Sequence, residues 1–327
     1  MENKSTSHIK LFACRYLSAL LQTICGTLIR VLVLFLSIIL LTACDSSPQQ
    51  PVPTLTHGTV PAFSHIFIIV MENKEYNAEV NVAQAPYFNK LADTYALATQ
   101  YYGISHPSLP NYLALTSGST LGISSDCTTC FQQAPNLADQ LEASGHSWKA
   151  YMEGMPSPCY VGNSPDGLYA QKHNPFVYYD NIRTKKSRCT NHVVPFSQFT
   201  RDLANKQLPD FIWITPSMCH DTHDCPVSDG DSWLSDIVPT ILQSPAFTHN
   251  GVLFITFDEG ATDNSCCNGA EGGKIATLVI SPLVKKGFRS TVPETHYSLL
   301  RTIEDAWKLP PLGEAKNSNA MTEYFPD

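Results

Sequence analysis

His65-Ile66-Phe67-Ile68-Ile69-Val70-Met71 is an unbroken apolar run that stops on an acid and an amide, Glu72-Asn73. The run lacks polar alternation, which predicts a strand buried on both faces. Three further runs have the same character: FIWI at 211–214, VLFITF at 252–257 and IATLVI at 275–280. Each is short and bounded by Gly, Pro or polar residues. Helical spacing lies between them. NLADQLEA at 136–143 stops at Ser144-Gly145, a helix-ending pair. The segment 233–242 puts Trp233, Ile237, Val238 and Ile241 on one face, and Pro239 predicts a kink or break within it. The segment 296–309 carries Leu299, Leu300, Ile303 and Trp307 before stopping at Pro310-Pro311. Strands alternating with helices predict an α/β fold, a three-layer sandwich with a central, mostly parallel sheet and helices on both faces. The stretch 151–198, rich in Pro, Asn, Tyr and Cys, reads as an insertion over the site rather than a separate domain.

The chain has 327 residues, 43% hydrophobic and 15% charged, enough for a large core. Its net charge is -8 and no run of Lys or Arg stands out, so nucleic acid is not expected as a partner. Lys4, Lys10, Arg15 and Arg30 precede an apolar run, VLVLFLSIILL at 31–41. That run is short for a membrane span and right for the core of a signal peptide. It ends in Leu41-Thr42-Ala43-Cys44, which resembles a bacterial lipobox with Cys44 as the lipidated residue. The expected organisation is a lipoprotein signal peptide at 1–43, a flexible Pro/Ser-rich tether at 44–60 and a catalytic domain at 61–327. The protein is thereby expected to be exported and anchored to a membrane of the bacterial cell envelope through its N-terminal lipid.

Eight cysteines lie beyond the signal region, and an even number in an oxidising compartment points to disulfides. Spacing suggests local bridges Cys127–Cys130 and Cys219–Cys225, and Cys159 is paired with Cys189 with no spacing argument. A four-cysteine zinc site is the competing reading of Cys127-x2-Cys130, but no second such pair exists.

In α/β sheets ligands gather at the carboxyl ends of strands. The first strand ends in Glu72-Asn73 and the third run in Asp258-Glu259-Gly260. Carboxylates and an Asn carbonyl are hard ligands for a divalent cation, so two such endings on fully apolar strands favour a metal over solvated loop acids. Ser108 stands where a helix would begin, with Pro110 in its first turn. There a serine oxygen can cap the helix, or act as a nucleophile beside a metal and the helix dipole. The residues alone leave both readings open.

The separated blocks IVMENKEY (69–76), HPSLPNYLALTSG (106–118), KHNPFVYY (172–179), CHDTHDCPVSDGDSWL (219–234), FITFDEG (254–260) and HYSLLRTIEDAW (296–307) together carry a resemblance. The chain resembles the phosphoesterase family that contains bacterial acid phosphatases and phosphocholine-preferring phospholipases C, a branch of the alkaline-phosphatase superfamily. The resemblance implies an alkaline-phosphatase-like fold and hydrolysis of a small phosphorylated substrate. It implies Glu72, Asn73, Ser108 and Asp258 as metal ligands, with Glu259 where some relatives carry a second Asp. It also implies Ser108 as nucleophile, forming a phosphoserine. The dense cluster around Asp221 and His223 offers further metal or phosphate contacts. His106 and His296 are the expected proton-handling residues, and Asn111, Lys172, His173 and Asn174 the expected substrate contacts.

A sulfatase reading fails because Leu109 stands where its Ser-x-Pro-x-Arg-type motif needs Arg. Three outcomes stay open at this point: a phosphomonoesterase, a phospholipase C-type diesterase, or a non-catalytic lipoprotein binding phosphate or metal.

Overall fold

The computed structural model describes residues 59–326. The signal peptide expected at 1–43, Cys44 and the tether up to residue 58 lie outside the described residues. The strands are β1 (Ile66–Met71), β2 (Ala96–Tyr102), β3 (Trp148–Met152), β4 (Val193–Pro195), β5 (Phe211–Thr215), β6 (Val252–Phe257), β7 (Lys274–Ile280), β8 (Phe288–Ser290) and β9 (Glu294–Thr295). They form one sheet in the order β4-β3-β5-β1-β6-β7-β2-β8, with β9 also pairing β2. Only β7 runs against its neighbours, so the sheet is mostly parallel. The four apolar runs of the sequence are the four adjacent central strands, β5, β1, β6 and β7. All six side chains of β1 are fully buried, as a parallel strand covered on both faces requires.

The longer helices are α1 (Pro86–Thr94), α2 (Ser108–Ser117), α3 (Leu137–Ser144), α4 (Ser197–Ala204), α5 (Val227–Leu242) and α6 (His296–Trp307). Helix α3 starts with a capping box between Asn136 and Asp139 and ends on the left-handed Gly145. Of the expected kink or break at Pro239, a break does not occur: helix α5 is continuous from Val227 to Leu242. The proline sits in the last turn, where its missing N–H removes one ladder bond and little helix remains to disrupt. The insertion at 151–198 is less irregular than expected. It contributes β4 to the sheet edge and the short helix Lys186–His192, tied down by Cys159–Cys189. Cys127–Cys130 and Cys219–Cys225 are also bridged. Cys266 and Cys267 remain thiols.

The pleat decides what each face receives. Met71 pairs with Phe257 across β1 and β6. Phe257 packs on Phe88 of α1 with ring centroids 6.1 Å apart, and a Cβ on Gly230 of α5 would lie 3.1 Å from Met71. The next residues, Glu72 and Asp258, therefore project to the other face. There Glu72 meets Ser108 and Tyr112 of α2, and Tyr112 packs on Trp213 of β5. Helices thus cover both faces, and the parallel strands β1, β5 and β6 deliver their carboxyl ends to one edge.

Two backbone segments pass too closely at that edge for any side chain. A Cβ on Gly103 would lie 2.7 Å from the Gly272 carbonyl and 2.9 Å from the Asp258 carbonyl. Gly103→Ala is expected to destabilise the protein by about 1–3 kcal/mol through overpacking, read as a lower urea midpoint. A second prediction concerns Glu79, which is buried with Oε1 lacking a hydrogen-bond partner. Burial, with Asp231 nearby and only partial relief from Lys74, pushes its carboxyl up to about 8 from an ordinary 4.5. Between those values the folded chain holds a proton that the unfolded chain releases, so stability falls as pH rises through this window. Glu79→Gln is expected to flatten that fall, seen as a Tm advantage over wild type that grows from pH 5 to pH 8.5.

Candidate active site

Each acid is fixed by backbone. The Asp258 N–H donates to the Met71 carbonyl (3.0 Å) and the Glu72 N–H to the Asp221 carbonyl (2.8 Å). Glu72 thereby stands between the acids that follow β5 and β6. Asn73 adopts φ 48°, a left-handed turn that Asn tolerates, and its N–H donates to Asp258 Oδ1 (2.9 Å). Glu72, Asp221, Asp258 and Glu259 are all buried.

Ser108 is the first residue of α2, preceded by Pro107 at the cap position with no side-chain cap bond. The capping alternative is therefore not what the structure adopts. Ser108 Oγ donates to Glu72 Oε2 (3.0 Å) and approaches Glu259 Oε1 (3.3 Å). Tyr112, one turn on, donates its hydroxyl to Glu72 Oε1. The helix N–H of Leu109 is taken by Asp126 Oδ1 (3.0 Å). Asp126 Oδ2 also accepts from Lys172 Nζ (3.1 Å), which lies 3.5 Å from Ser108 Oγ and 3.4 Å from His223 Nε2.

The electrostatics follow from crowding. Burial and the charges of Glu72 and Glu259 push Asp258 well above the usual carboxylate range. Burial, with Glu72 adding to it and His106 opposing, raises Glu259 to about 7. Burial and Glu72 likewise raise Asp221, in spite of His173. Glu72 goes the other way: burial would raise it, but His173, Tyr112 and Lys172 outweigh that and hold it at about 2. His173 is buried, with Nε2 3.1 Å from Glu72 Oε1 and Nδ1 3.2 Å from Asp221 Oδ2. Burial would lower its pKa, but the two acids raise it to about 9.

A divalent cation fits this donor set. Asp258 Oδ2 is buried without a hydrogen-bond partner, and Asp221 Oδ2 and His173 Nε2, also buried, have only the ion-pair contacts just given. Donor atoms of Glu72, His173 and Asp221 lie within 4.8 Å of one another. Glu72 also adjoins Asp258 and, through Ser108, Glu259. Oxygen-rich sites of this kind suit hard divalent ions, and an imidazole widens the choice.

Several expected site residues have other partners. Asn111, expected at the substrate, spends its amide on its own loop: Oδ1 accepts from the Ile104 and Ser105 N–H groups, and Nδ2 donates to the Ser105 and Pro107 carbonyls. Asn174 donates to Tyr169 Oη (2.9 Å) instead of facing Ser108. His296 has both ring nitrogens engaged, Nε2 with the Asp258 carbonyl (2.5 Å) and Nδ1 with Tyr101 Oη (3.3 Å). Burial lowers its pKa to about 4, so the ring is neutral and orients the end of β6. His173, expected at the substrate, sits inside the acid cluster. His223, expected on metal, is bonded through Nδ1 to Asp224 (2.7 Å) with Nε2 beside Lys172. His106 contacts Glu259 through Nδ1 and, through Nε2, the Thr262 carbonyl (3.2 Å). It faces an open cleft of about 490 Å³ lined also by Ser105, Asp263, Ser265 and Glu271. Tyr112 and Asp126 were missed by sequence reasoning. The four-residue step from Ser108 to Tyr112 places both on one helix face and was a usable signal. Asp126 gave none, because its partners are a backbone N–H and a lysine 46 residues away.

Residues 78–310 match the model of the Phosphoesterase family. A phosphatidylinositol-3-phosphatase of Mycobacterium tuberculosis is 32% identical over 277 residues, covering 84% of this chain and 86% of that protein. An acid phosphatase of Aspergillus fumigatus is 33% identical over 277 residues, covering 81% of this chain and 59% of that longer protein. Among solved structures, murine ectonucleotide pyrophosphatase/phosphodiesterase 5 superposes with a TM-score of 0.51, at 11% identity, over 80% of this chain and 100% of that one. The lipoteichoic acid synthase LtaP of Listeria monocytogenes gives 0.53, at 11% identity, over 78% and 74%. The structural likenesses concern the fold alone.

Asn111 offers a direct test of how the site is held. Asn111→Ala leaves the Ile104 and Ser105 N–H groups and two carbonyls without their partner, at a cost of about 2–3 kcal/mol. Phosphoester hydrolysis is expected to fall with it, because the loop that loosens carries His106 and leads into Ser108. Urea denaturation and an activity assay of the same sample measure the two effects.

Proposed function

This chain belongs to the Phosphoesterase family and is a phosphoric ester hydrolase, and from that premise we propose that it is a metal-dependent phosphomonoesterase with Ser108 as nucleophile. The observation that carries this reading is Ser108 itself, a buried hydroxyl at a helix start that donates to Glu72 and lies 3.3 Å from Glu259 instead of capping its helix.

Ser108 Oγ attacks phosphorus in line, giving its proton to a carboxylate already in contact with it. The Oγ–P bond forms as the bond from phosphorus to the alcohol oxygen breaks, and the alcohol leaves with a proton supplied at His106. Water then hydrolyses the phosphoserine, restoring Ser108 and releasing inorganic phosphate. Lys172 stands close enough to Ser108 Oγ to meet the negative phosphoryl oxygens. Glu72, Asn73, Asp258 and Glu259, with Asp221 and His173 on the far side of Glu72, would hold the cation. Once bound, it supplies positive charge against the phosphoryl oxygens and acidifies the serine hydroxyl. Tyr112 orients Glu72, and Asp126 orients Lys172.

The names of the relatives support a monoester, including one whose alcohol is a lipid. Export fits three disulfides in one chain. We place the enzyme in the cell envelope, tethered through Cys44.

The test is turnover of p-nitrophenyl phosphate, bis(p-nitrophenyl) phosphate and p-nitrophenylphosphorylcholine by the full chain in detergent, with and without chelator. The monoester is expected to be preferred, chelator to abolish turnover and a divalent ion to restore it. Ser108→Ala is expected to lower kcat by about a thousandfold or more. Preference for the choline ester moves the assignment to a phospholipase C-type diesterase, and full activity of Ser108→Ala removes the serine mechanism.

A further inference from the structure

Cys266 and Cys267 are adjacent in sequence, half-buried, and the only free thiols among the described residues. Their sulfurs lie 2.6 Å apart. That is inside ordinary contact distance for two sulfurs and about 0.6 Å beyond a disulfide bond. The six other cysteines of residues 59–326 are oxidised. The pair sits at the turn of the loop that leads from Glu259 back into β7. The Cys266 N–H donates to the Ala270 carbonyl, and the Ala270 N–H to the Cys267 carbonyl, each at 3.1 Å. Asn268 and Gly269 between them take the left-handed conformations that so tight a turn needs.

This loop borders the active centre. Glu75 accepts from the Ala261 N–H (3.0 Å), Thr262 Oγ1 (3.1 Å) and Asn264 Nδ2 (2.9 Å), fixing its first limb. The Glu271 and Gly272 N–H groups donate to the carbonyls of Ile104 and Gly103, fixing its second. The Thr262 carbonyl meets His106 Nε2. Cys266 packs against the cluster of Ile104, Ala114, Ala270 and Tyr297. The tip between the two limbs is held by the two hydrogen bonds of the turn, by this packing and by Asn268 on Ser318.

We propose that Cys266 and Cys267 form a redox site: in the compartment that oxidises the other six cysteines they close to a vicinal disulfide, which clasps the 261–273 loop beside His106. The thiol hydrogen bond from Cys266 lowers the Cys267 thiol to about 7, making it the attacking group. The Cys267 thiolate attacks one sulfur of an external disulfide, protein or glutathione, forming a mixed disulfide and expelling one thiolate. Cys266 then gives up its proton and attacks Cys267 Sγ. The Cys266–Cys267 bond forms, the mixed disulfide breaks and the second external thiolate leaves. Two thiols of the chain are oxidised, and one external disulfide is reduced to two thiols, which take up the two protons. A ring closed through a single peptide bond, at a half-buried position, belongs to the readily reduced class of disulfides, so the clasp is reversible.

The test uses the full chain isolated from its export compartment, blocked with N-ethylmaleimide and cleaved at glutamate without reduction. The 260–271 peptide is expected to carry no maleimide, to weigh about 2 Da less than the dithiol, and to accept two maleimides after reduction. Hydrogen exchange over 261–273 is expected to be at least about tenfold slower in the oxidised protein than in Cys266→Ser/Cys267→Ser. The alanine pair gives the same comparison should the serines disturb folding. Two maleimides on the unreduced peptide, or equal exchange in oxidised protein and variant, overturns the proposal. Neither readout depends on the phosphoesterase mechanism.

Discussion

Four carboxylates share one buried edge of the sheet, and much around them exists to make that tolerable. Glu72, Asp221, Asp258 and Glu259 cannot all ionise in a desolvated space without positive charge close by. The fold answers with His173 between two of them, Lys172 beyond the serine, and His106 on Glu259. Hydroxyls from Ser108 and Tyr112 take up the oxygens of Glu72. The Asp258 oxygen that still lacks a partner marks where a cation would fit. The same crowding leaves Glu72 ionised and its neighbours reluctant to be, so one cluster holds carboxylates of very different basicity.

The central sheet was legible because strands covered on both faces need unbroken apolar sequence, and β5, β1, β6 and β7 have it. The outer strands lack that signature. β2 mixes Thr99 and Gln100 into its run and carries an irregularity between Ala98 and Tyr101, and β4 is three residues long. Their pairing comes from the tertiary structure, which no local window contains. At the site, residues borne on strand ends and a helix start could be read, since position along an element fixes where they emerge. Glu72, Asp258 and Ser108 do converge. Polar residues in the connecting loops could not be sorted the same way. Asn111 and His296 offer groups that suit a substrate equally well, but each is engaged by backbone or a tyrosine made near only by folding, and Asn174 gives its Nδ2 to Tyr169. Composition cannot distinguish a polar group that serves the loop from one that serves the ligand.

The likeness to solved structures at about one residue in nine shows how little of this architecture depends on particular side chains. What persists is the overall fold. In this chain two acids just past β1 and β6 meet a serine at the start of α2. Cys159–Cys189 ties the insertion down beside β4, and Cys219–Cys225 closes the loop that carries the buried Asp221.

The register of β1 on β6 has a consequence for assembly. Met71 opposite Phe257 is what sets Glu72 beside Asp258. Slipping by one residue would turn one acid to the α1/α5 face and leave the other among apolar neighbours. Glu72 and Asp258 can therefore meet only once β1 and β6 are correctly paired. Recovery of turnover after denaturation reports on strand alignment itself, which makes this enzyme its own gauge of correct pairing.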